Sequence, residues 1–112
     1  LVERLGYSQA KRLAVTGGRL DAAAALRIGL VHQQVDSGQL QAALEAVLAD
    51  ILACGPGALA ATKALMAKAR LQAPASLIDE AAAVFSRAAQ GPEAMEGMGA
   101  FLQKRKPKWV PG

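Results

Sequence analysis

The chain has 112 residues, the length of one domain or of part of one, and its composition of 53% hydrophobic but only 4% aromatic residues favours helices. Thirteen Lys and Arg outnumber nine Asp and Glu, and the whole excess comes from four residues near the C-terminus: Lys104, Arg105, Lys106 and Lys108. This local charge indicates an anion-binding site and argues against nucleic-acid binding, which needs positive charge spread over a face.

The first predicted helix is short and bounded by glycines. Gly6 ends a short N-terminal segment, and Ser8 is the predicted N-cap of a helix that runs to about Val15. Gly17 then ends this helix, because glycine readily adopts the left-handed conformation found after helix C-termini. Leu1 lies inside an amphipathic segment, so we expect the chain to be a piece of a longer one.

A second short helix and an extended stretch follow. Asp21 is the predicted N-cap of a helix over residues 22–28, and Gly29 ends it. Residues 30–35 are the one stretch with an extended pattern, and we expect either a short edge strand or a plain connection there.

The clearest helical pattern begins after this stretch. Asp36 and Ser37 start a long helix, and Gly55-Pro56 stops it and begins the next one. Its apolar residues recur at helical spacing and form one stripe: Leu40, Leu44, Val47, Leu48 and Ile51. Because a short chain has little core against which to bury such a stripe, we expect it to pack on something outside the chain.

Three further helices complete the predicted fold. The fourth runs to about Leu71, and Ser76 with Asp79 resembles a capping box at the start of the fifth. The fifth ends at Gly91-Pro92, and the sixth runs from about Glu93 to Lys104. The sequence therefore predicts an all-α chain of five or six helices with at most one short strand.

The residue types needed for metal or nucleophilic chemistry are scarce. His32 and Cys54 stand 22 positions apart and cannot form a typical zinc site, so we expect no bound metal. No strand-to-helix nucleophile elbow surrounds any serine, and there is no phosphate-binding loop. A single cysteine excludes an internal disulfide and suits a reducing compartment, and no apolar run approaches the roughly 18 residues of a membrane span. We therefore expect a cytoplasmic protein.

Paired carboxylates are the remaining candidates for acid–base chemistry, and their positions predict solvated surface roles instead. The four are Asp79, Glu80, Glu93 and Glu96. Glu93 lies at a predicted helix start, where the helix dipole alone favours an acidic residue.

Phe101 and Lys104 are three residues apart near the end of the last predicted helix. At this spacing they are expected to share one helix face, where a ring and a cation could contact a phosphorylated ligand. From spacing alone, however, a core Phe beside a solvated Lys that complements the helix dipole is the favoured interpretation.

Several motifs in order resemble the enoyl-CoA hydratase/isomerase (crotonase) superfamily over nearly the whole chain. The middle motif is Val15-Thr16-Gly17-Gly18-Arg19-Leu20-Asp21-Ala22, followed by Ala25 and Gly29-Leu30-Val31. The next helices match at Pro56, Ala60, Thr62-Lys63 and Leu65. The C-terminal signature is Glu96-Gly97, Ala100-Phe101-Leu102, Lys104-Arg105-Lys106-Pro107 and Trp109.

This resemblance implies that residues 1–112 are the helical C-terminal region of a longer, crotonase-like enzyme with an α/β spiral before it. In the family, two backbone N–H groups form an oxyanion hole, and hydratases use two glutamates to add water. All of these would precede Leu1, so the resemblance implies no catalytic residue in this chain and no activity for it alone. It gives Phe101 the role of covering the acyl-CoA and Lys104 that of contacting the CoA phosphates, and it leaves Lys63 unassigned.

The implied reaction is hydration of a 2-enoyl-CoA, with a branched, glutaconyl-type acyl group as one candidate. Coenzyme A enters as part of the substrate, and no separate cofactor is expected. The implied partners are the acyl-CoA, the protein's own N-terminal domain and further copies in a trimer or dimer of trimers, without nucleic acid or membrane. Two alternatives stay open: double-bond isomerisation within the family, and a non-enzymatic helical module that binds a partner through its apolar stripes.

Overall fold

The computed structural model describes residues 1–111, and none of these residues is in a β-strand. The all-α prediction is therefore confirmed, and residues 30–35 form a plain connection. The described helices are α1 (Val2–Thr16), α2 (Ala22–Arg27), α3 (Leu40–Ala53), α4 (Pro56–Ala69), α5 (Ile78–Ala89) and α6 (Pro92–Leu102). Two 3-10 turns, Ser37–Gln39 and Pro74–Leu77, precede α3 and α5.

The chain divides into two compact units, an N-terminal unit (Leu1–Ala43) and a C-terminal unit (Leu44–Gly112). In the N-terminal unit α1 is broken at Gly6, whose φ of 72° and ψ of 163° are open to glycine and strongly disfavoured for other residues. The prediction of an N-cap at Ser8 is wrong, because Ser8 lies inside α1 and the break at Gly6 replaces the cap. Gly17 ends α1 in the left-handed conformation, as predicted.

Local signals also define α2. The Asp21 carboxylate accepts a hydrogen bond of 2.7 Å from a backbone N–H of the first turn, which confirms the predicted N-cap. Gly29 (φ 78°) follows the last turn, and the N–H groups of Gly29 and Leu30 donate to the carbonyls of Leu26 and Ala25 at 3.0 and 2.9 Å. These two bonds form a Schellman motif, which satisfies the last carbonyls of the helix.

Arg4 ties α1 to the connection after α2. Its Nε donates to the Leu30 carbonyl at 2.9 Å, and its Nη2 lies 2.6 Å from His32 Nε2. His32 thus has a structural role, because it helps to hold the connection after α2 against α1.

In the C-terminal unit, α5 packs against α4, α6 and the 3-10 turn before it. Leu77 at the end of that turn and Ala100 on α6 are the buried residues of this unit among those described. An ion pair between Lys68 and Glu80 joins α4 to α5. The predicted capping box is wrong, because the 3-10 turn occupies that position and the Ser76 hydroxyl donates to the Ala73 carbonyl at 2.8 Å.

Large apolar side chains stay exposed on several helices. The stripe predicted on α3 is 45–67% exposed at each of its members, Leu40, Leu44, Val47, Leu48 and Ile51. Burying one such side chain typically contributes about 1.5–3 kcal/mol to the free energy of unfolding. The exposed side chains of the stripe therefore make only part of this contribution within residues 1–111.

No single helix within residues 1–111 is long and apolar enough to cross a membrane. Ser37–Ala53 and Pro56–Ala69 together reach the required length and composition, but they are bent by 100° at the break between them.

Candidate functional site

The end of α6 carries the two residues to which the family resemblance assigns substrate contacts. Phe101 lies in the last turn with 81% of its surface exposed, and α6 ends at Leu102. Lys104 lies beyond the helix end, and the N–H groups of Lys104 and Arg105 donate to the carbonyls of Phe101 and Ala100 at 3.1 and 3.0 Å. This is a second Schellman motif. The expectation that α6 continues to Lys104, placing both residues on one helix face, is therefore wrong.

The backbone of Lys104 is strained. Its φ is 51°, the one positive φ of a non-glycine residue within residues 1–111. The left-handed conformation costs a residue with a Cβ roughly 1–2 kcal/mol, which is why glycine usually occupies this position, as Gly29 does after α2. Strain of this kind often marks a functional position.

Glu96 holds the segment that follows α6, residues 103–111, here called the C-terminal tail. Its two carboxylate oxygens accept hydrogen bonds from Arg105 Nη1 at 2.6 Å and Nη2 at 3.2 Å, and Oε1 also accepts the Lys108 N–H at 2.9 Å. The hydrogen bond with Arg105, helped by that with Lys108, lowers the pKa of Glu96 to about 2. The same pairing raises the pKa of Arg105.

This pair corrects two expectations from the sequence. Glu96 was predicted to be a solvated surface carboxylate, but only 18% of its side chain is exposed. Arg105 was counted in the basic cluster, yet its charge is neutralised by Glu96. The nine-residue separation hid the pair, because it forms only where the tail reverses its direction.

Trp109 anchors the far end of the tail. Its Nε1 donates to the Ala53 carbonyl at the end of α3 at 3.3 Å. Its ring lies against Gly97, where an added Cβ would come within 3.2 Å of Cη2. A glycine in the middle of α6 therefore makes room for the tryptophan.

Glu93 also has a partner that the sequence did not reveal. Its carboxylate accepts the backbone N–H groups of Gly57 and Ala58, each at 2.8 Å, at the N-terminus of α4. It thus caps another helix while also lying in the first turn of α6, and the prediction of a merely solvated Glu93 is wrong. Gly55 leaves the space for it, because a Cβ there would be 2.4 Å from Oε1.

A groove of about 820 Å³ lies beside this cap. Its walls come from the start of α4, the second half of α5, the first half of α6 and Trp109, and they are mostly small and apolar. Phe101 and Lys104 do not line it.

The tail offers positive charge beside an exposed ring. Among residues 1–111 the Lys104 ammonium has no hydrogen-bond or ion-pair partner, and Lys104 is exposed. An anionic ligand with an apolar portion is the class of molecule that such a surface can bind.

The other candidates from the sequence are not brought together. Lys63 is exposed on α4, and Cys54 is exposed after α3 with its thiol donating to the Asp50 carbonyl at 3.4 Å. No three His, Cys, Asp or Glu residues in the described part of the chain are grouped so that they could hold a metal ion.

Comparison with known proteins identifies the family to which the chain belongs. A sequence model described as enoyl-CoA hydratase/isomerase matches residues 1–111. The chain belongs to this family. No curated protein matches it, but solved structures do.

Two of the three similar structures described next bear the name enoyl-CoA hydratase or enoyl-CoA hydratase/isomerase. An enoyl-CoA hydratase/isomerase from Marinobacter aquaeolei is 46% identical with a TM-score of 0.90, over 98% of this chain and 42% of that one. DspI from Pseudomonas aeruginosa is 38% identical with a TM-score of 0.86, over 96% and 41%. An enoyl-CoA hydratase from Mycobacterium smegmatis is 31% identical with a TM-score of 0.85, over 97% and 42%.

The chain spans about two-fifths of the length of these structures. Its helices have the fold of the helical C-terminal region of a crotonase-like protein, as the resemblance implied.

Proposed function

We propose that this chain forms the C-terminal part of an enzyme that hydrates a 2-enoyl-CoA, here called the parent enzyme. Family membership and the coverage of about 42% of the Marinobacter structure support this proposal. In the parent enzyme the oxyanion hole and the two reacting glutamates come from residues outside this chain. The chain alone is then inactive, because the described carboxylates cap or clamp helices or lie on the surface.

Within this proposal, Lys104 binds a phosphate of coenzyme A and Phe101 covers an apolar part of the substrate. The observation that carries both roles is the conformation of the tail. Lys104 keeps a strained backbone just beyond the end of the helix that presents the exposed Phe101 ring, and within residues 1–111 its ammonium has no hydrogen-bond or ion-pair partner. An ordinary solvated lysine has no need of this conformation, and a glycine there would remove the strain.

The exposed stripe on α3 fits the same proposal. Leu44 and Ile51 are 50% and 45% exposed, and the parent enzyme would bury such residues against its other segments and against further subunits. We expect a trimer or a dimer of trimers. A parent enzyme that elutes as a monomer in size-exclusion chromatography would contradict this part.

Replacing Lys104 with Ala tests the phosphate contact. A charge-assisted contact contributes about 1.5–3 kcal/mol, so the KM for a CoA thioester should rise about 10- to 100-fold. The KM for the matching pantetheine thioester, which lacks the nucleotide phosphates, should stay unchanged. Lys11→Ala, an exposed lysine in the N-terminal unit, serves as the control and should affect neither substrate. Equal effects on both thioesters would refute the phosphate role.

Product analysis separates hydration from double-bond isomerisation, the alternative within the family. With a 2-enoyl-CoA the parent enzyme should form a 3-hydroxyacyl-CoA, with the loss of the conjugated enoyl absorbance. Conversion of a 3-enoyl-CoA to the 2-enoyl isomer without water addition would favour isomerisation. The 112-residue chain alone should catalyse neither reaction.

A further inference from the structure

We propose that Glu96 is a positioning residue: by holding Arg105 it fixes the turn after α6 and keeps Lys104 in the left-handed conformation that presents its ammonium. The inference rests on the proposed function for the identity of the anion, a phosphate of coenzyme A.

The contacts around Glu96 support this role. Arg105 follows Lys104 directly, and its guanidinium meets both oxygens of Glu96 at 2.6 and 3.2 Å. The Arg105 backbone N–H closes the turn on the Ala100 carbonyl at 3.0 Å. Glu96 also accepts the Lys108 N–H at 2.9 Å, so the chain is held on both sides of residues 106 and 107.

The physical reason for such a clamp lies in the conformation of Lys104. A lysine gains nothing locally from a φ of 51°, and a helix end held by backbone bonds alone can fray. A forked, charge-assisted pair one residue away resists that relaxation, because moving the backbone would break two parallel hydrogen bonds. The long lysine stem then starts from one fixed Cα direction, so less conformational entropy is lost when the ammonium binds an anion.

Replacing Glu96 with Gln tests the inference, because it keeps the size of the side chain and removes the charge. In the parent enzyme we expect the KM for a CoA thioester to rise about three- to tenfold, with kcat and the KM for the pantetheine thioester unchanged. The Arg105 amide should exchange its hydrogen at least about tenfold faster. Glu80→Gln is the matched control, because it breaks the Lys68 ion pair, whose partners are likewise partly exposed, without touching the tail.

The double variant E96Q/K104A separates positioning from a general loss of stability. If Glu96 acts through Lys104, adding E96Q to K104A should not change the ratio of the two KM values further. If E96Q folds poorly, Arg105→Lys can replace it in this test, because it keeps the positive charge but loses the forked hydrogen-bonding geometry of the guanidinium. It should give the same changes in KM that are expected for E96Q.

Three results would overturn the inference. Additive effects of E96Q and K104A on the KM ratio would show that Glu96 does not act through Lys104. An unchanged CoA KM in E96Q, with a raised one in K104A, would refute the positioning role and leave the proposed function intact. If K104A itself leaves the ratio unchanged, the phosphate contact of the proposed function is wrong and the inference falls with it.

Discussion

The two units of this chain control their turns and helix ends in different ways. In the N-terminal unit, every positive φ belongs to a glycine: Gly6, Gly17 and Gly29. Asp21 caps the helix that follows it by accepting a backbone N–H only three residues further along the chain. In the described part of the C-terminal unit, the positive φ belongs to Lys104. There a distant carboxylate, Glu93, caps a helix N-terminus.

The difference teaches where conformational strain is avoided and where it is tolerated. A glycine adopts the left-handed region at no steric cost, so each turn of the N-terminal unit can form on local signals alone. The turn at Lys104 carries a steric cost that contacts from elsewhere in the fold have to offset, and Glu96 with Arg105 provides them. Such strained positions are concentrated where ligands bind.

The largest expected effect is at Gly6. Replacing Gly6 with Ala forces a Cβ into a backbone conformation of φ 72° and ψ 163°, at a cost of about 2–3 kcal/mol in the free energy of unfolding. Tyr7, the single tyrosine, lies next to this break and reports on unfolding of the N-terminal unit by fluorescence. Gly38→Ala is the control, because a Cβ meets nothing within 4 Å at either glycine but Gly38 does not have a positive φ. Equal stability of the two variants would show that the break at Gly6 is not required.

In the C-terminal unit the corresponding test is Gly55→Ala, which acts on a distant contact instead of a local angle. The new Cβ would lie 2.4 Å from Glu93 Oε1, so the carboxylate has to leave the N-terminus of α4. Losing this cap should cost about 2 kcal/mol. Trp109, the single tryptophan, reports on this unit by fluorescence. Glu93→Gln should lower the free energy of unfolding less than Gly55→Ala does, because an amide oxygen can still accept one of the two hydrogen bonds. A larger loss in Glu93→Gln would contradict this account.

The contrast also explains what the sequence could predict. Asp21, Gly17 and Gly29 were located correctly, because their signals act within a few residues. Glu93 and Glu96 were misassigned as solvated, since their partners lie up to 36 residues away and depend on how the helices pack. The roles of Phe101 and Lys104 came from the family motif, and spacing alone placed Lys104 wrongly on the helix.

A smaller effect, of opposite sign, is expected at Lys104. Replacing Lys104 with Gly removes the strained Cβ and should stabilise the C-terminal unit by up to about 1 kcal/mol, as measured by urea unfolding followed through Trp109. The same variant should lose affinity for the CoA thioester as K104A does. Higher stability with weaker binding would show that the strain is retained for function. Destabilisation would mean that the lysine side chain itself supports the turn.

The smallest effect is the acid dependence of the clamp, because its partners are partly exposed and water and salt screen their attraction. The pKa of Glu96 lies at about 2 in the folded chain, below its ordinary value of 4.5. The unfolded chain therefore takes up the proton first as the pH falls. The stabilisation by Glu96 is complete above about pH 4.5 and is lost progressively toward pH 2.

Comparing wild type with E96Q isolates this contribution from that of the other carboxylates. The difference in their free energies of unfolding, followed through Trp109, should shrink between pH 5 and about pH 2 and also on adding salt. A difference that stays constant over this range would show that Arg105 and Lys108 do not hold the Glu96 carboxylate in its charged form.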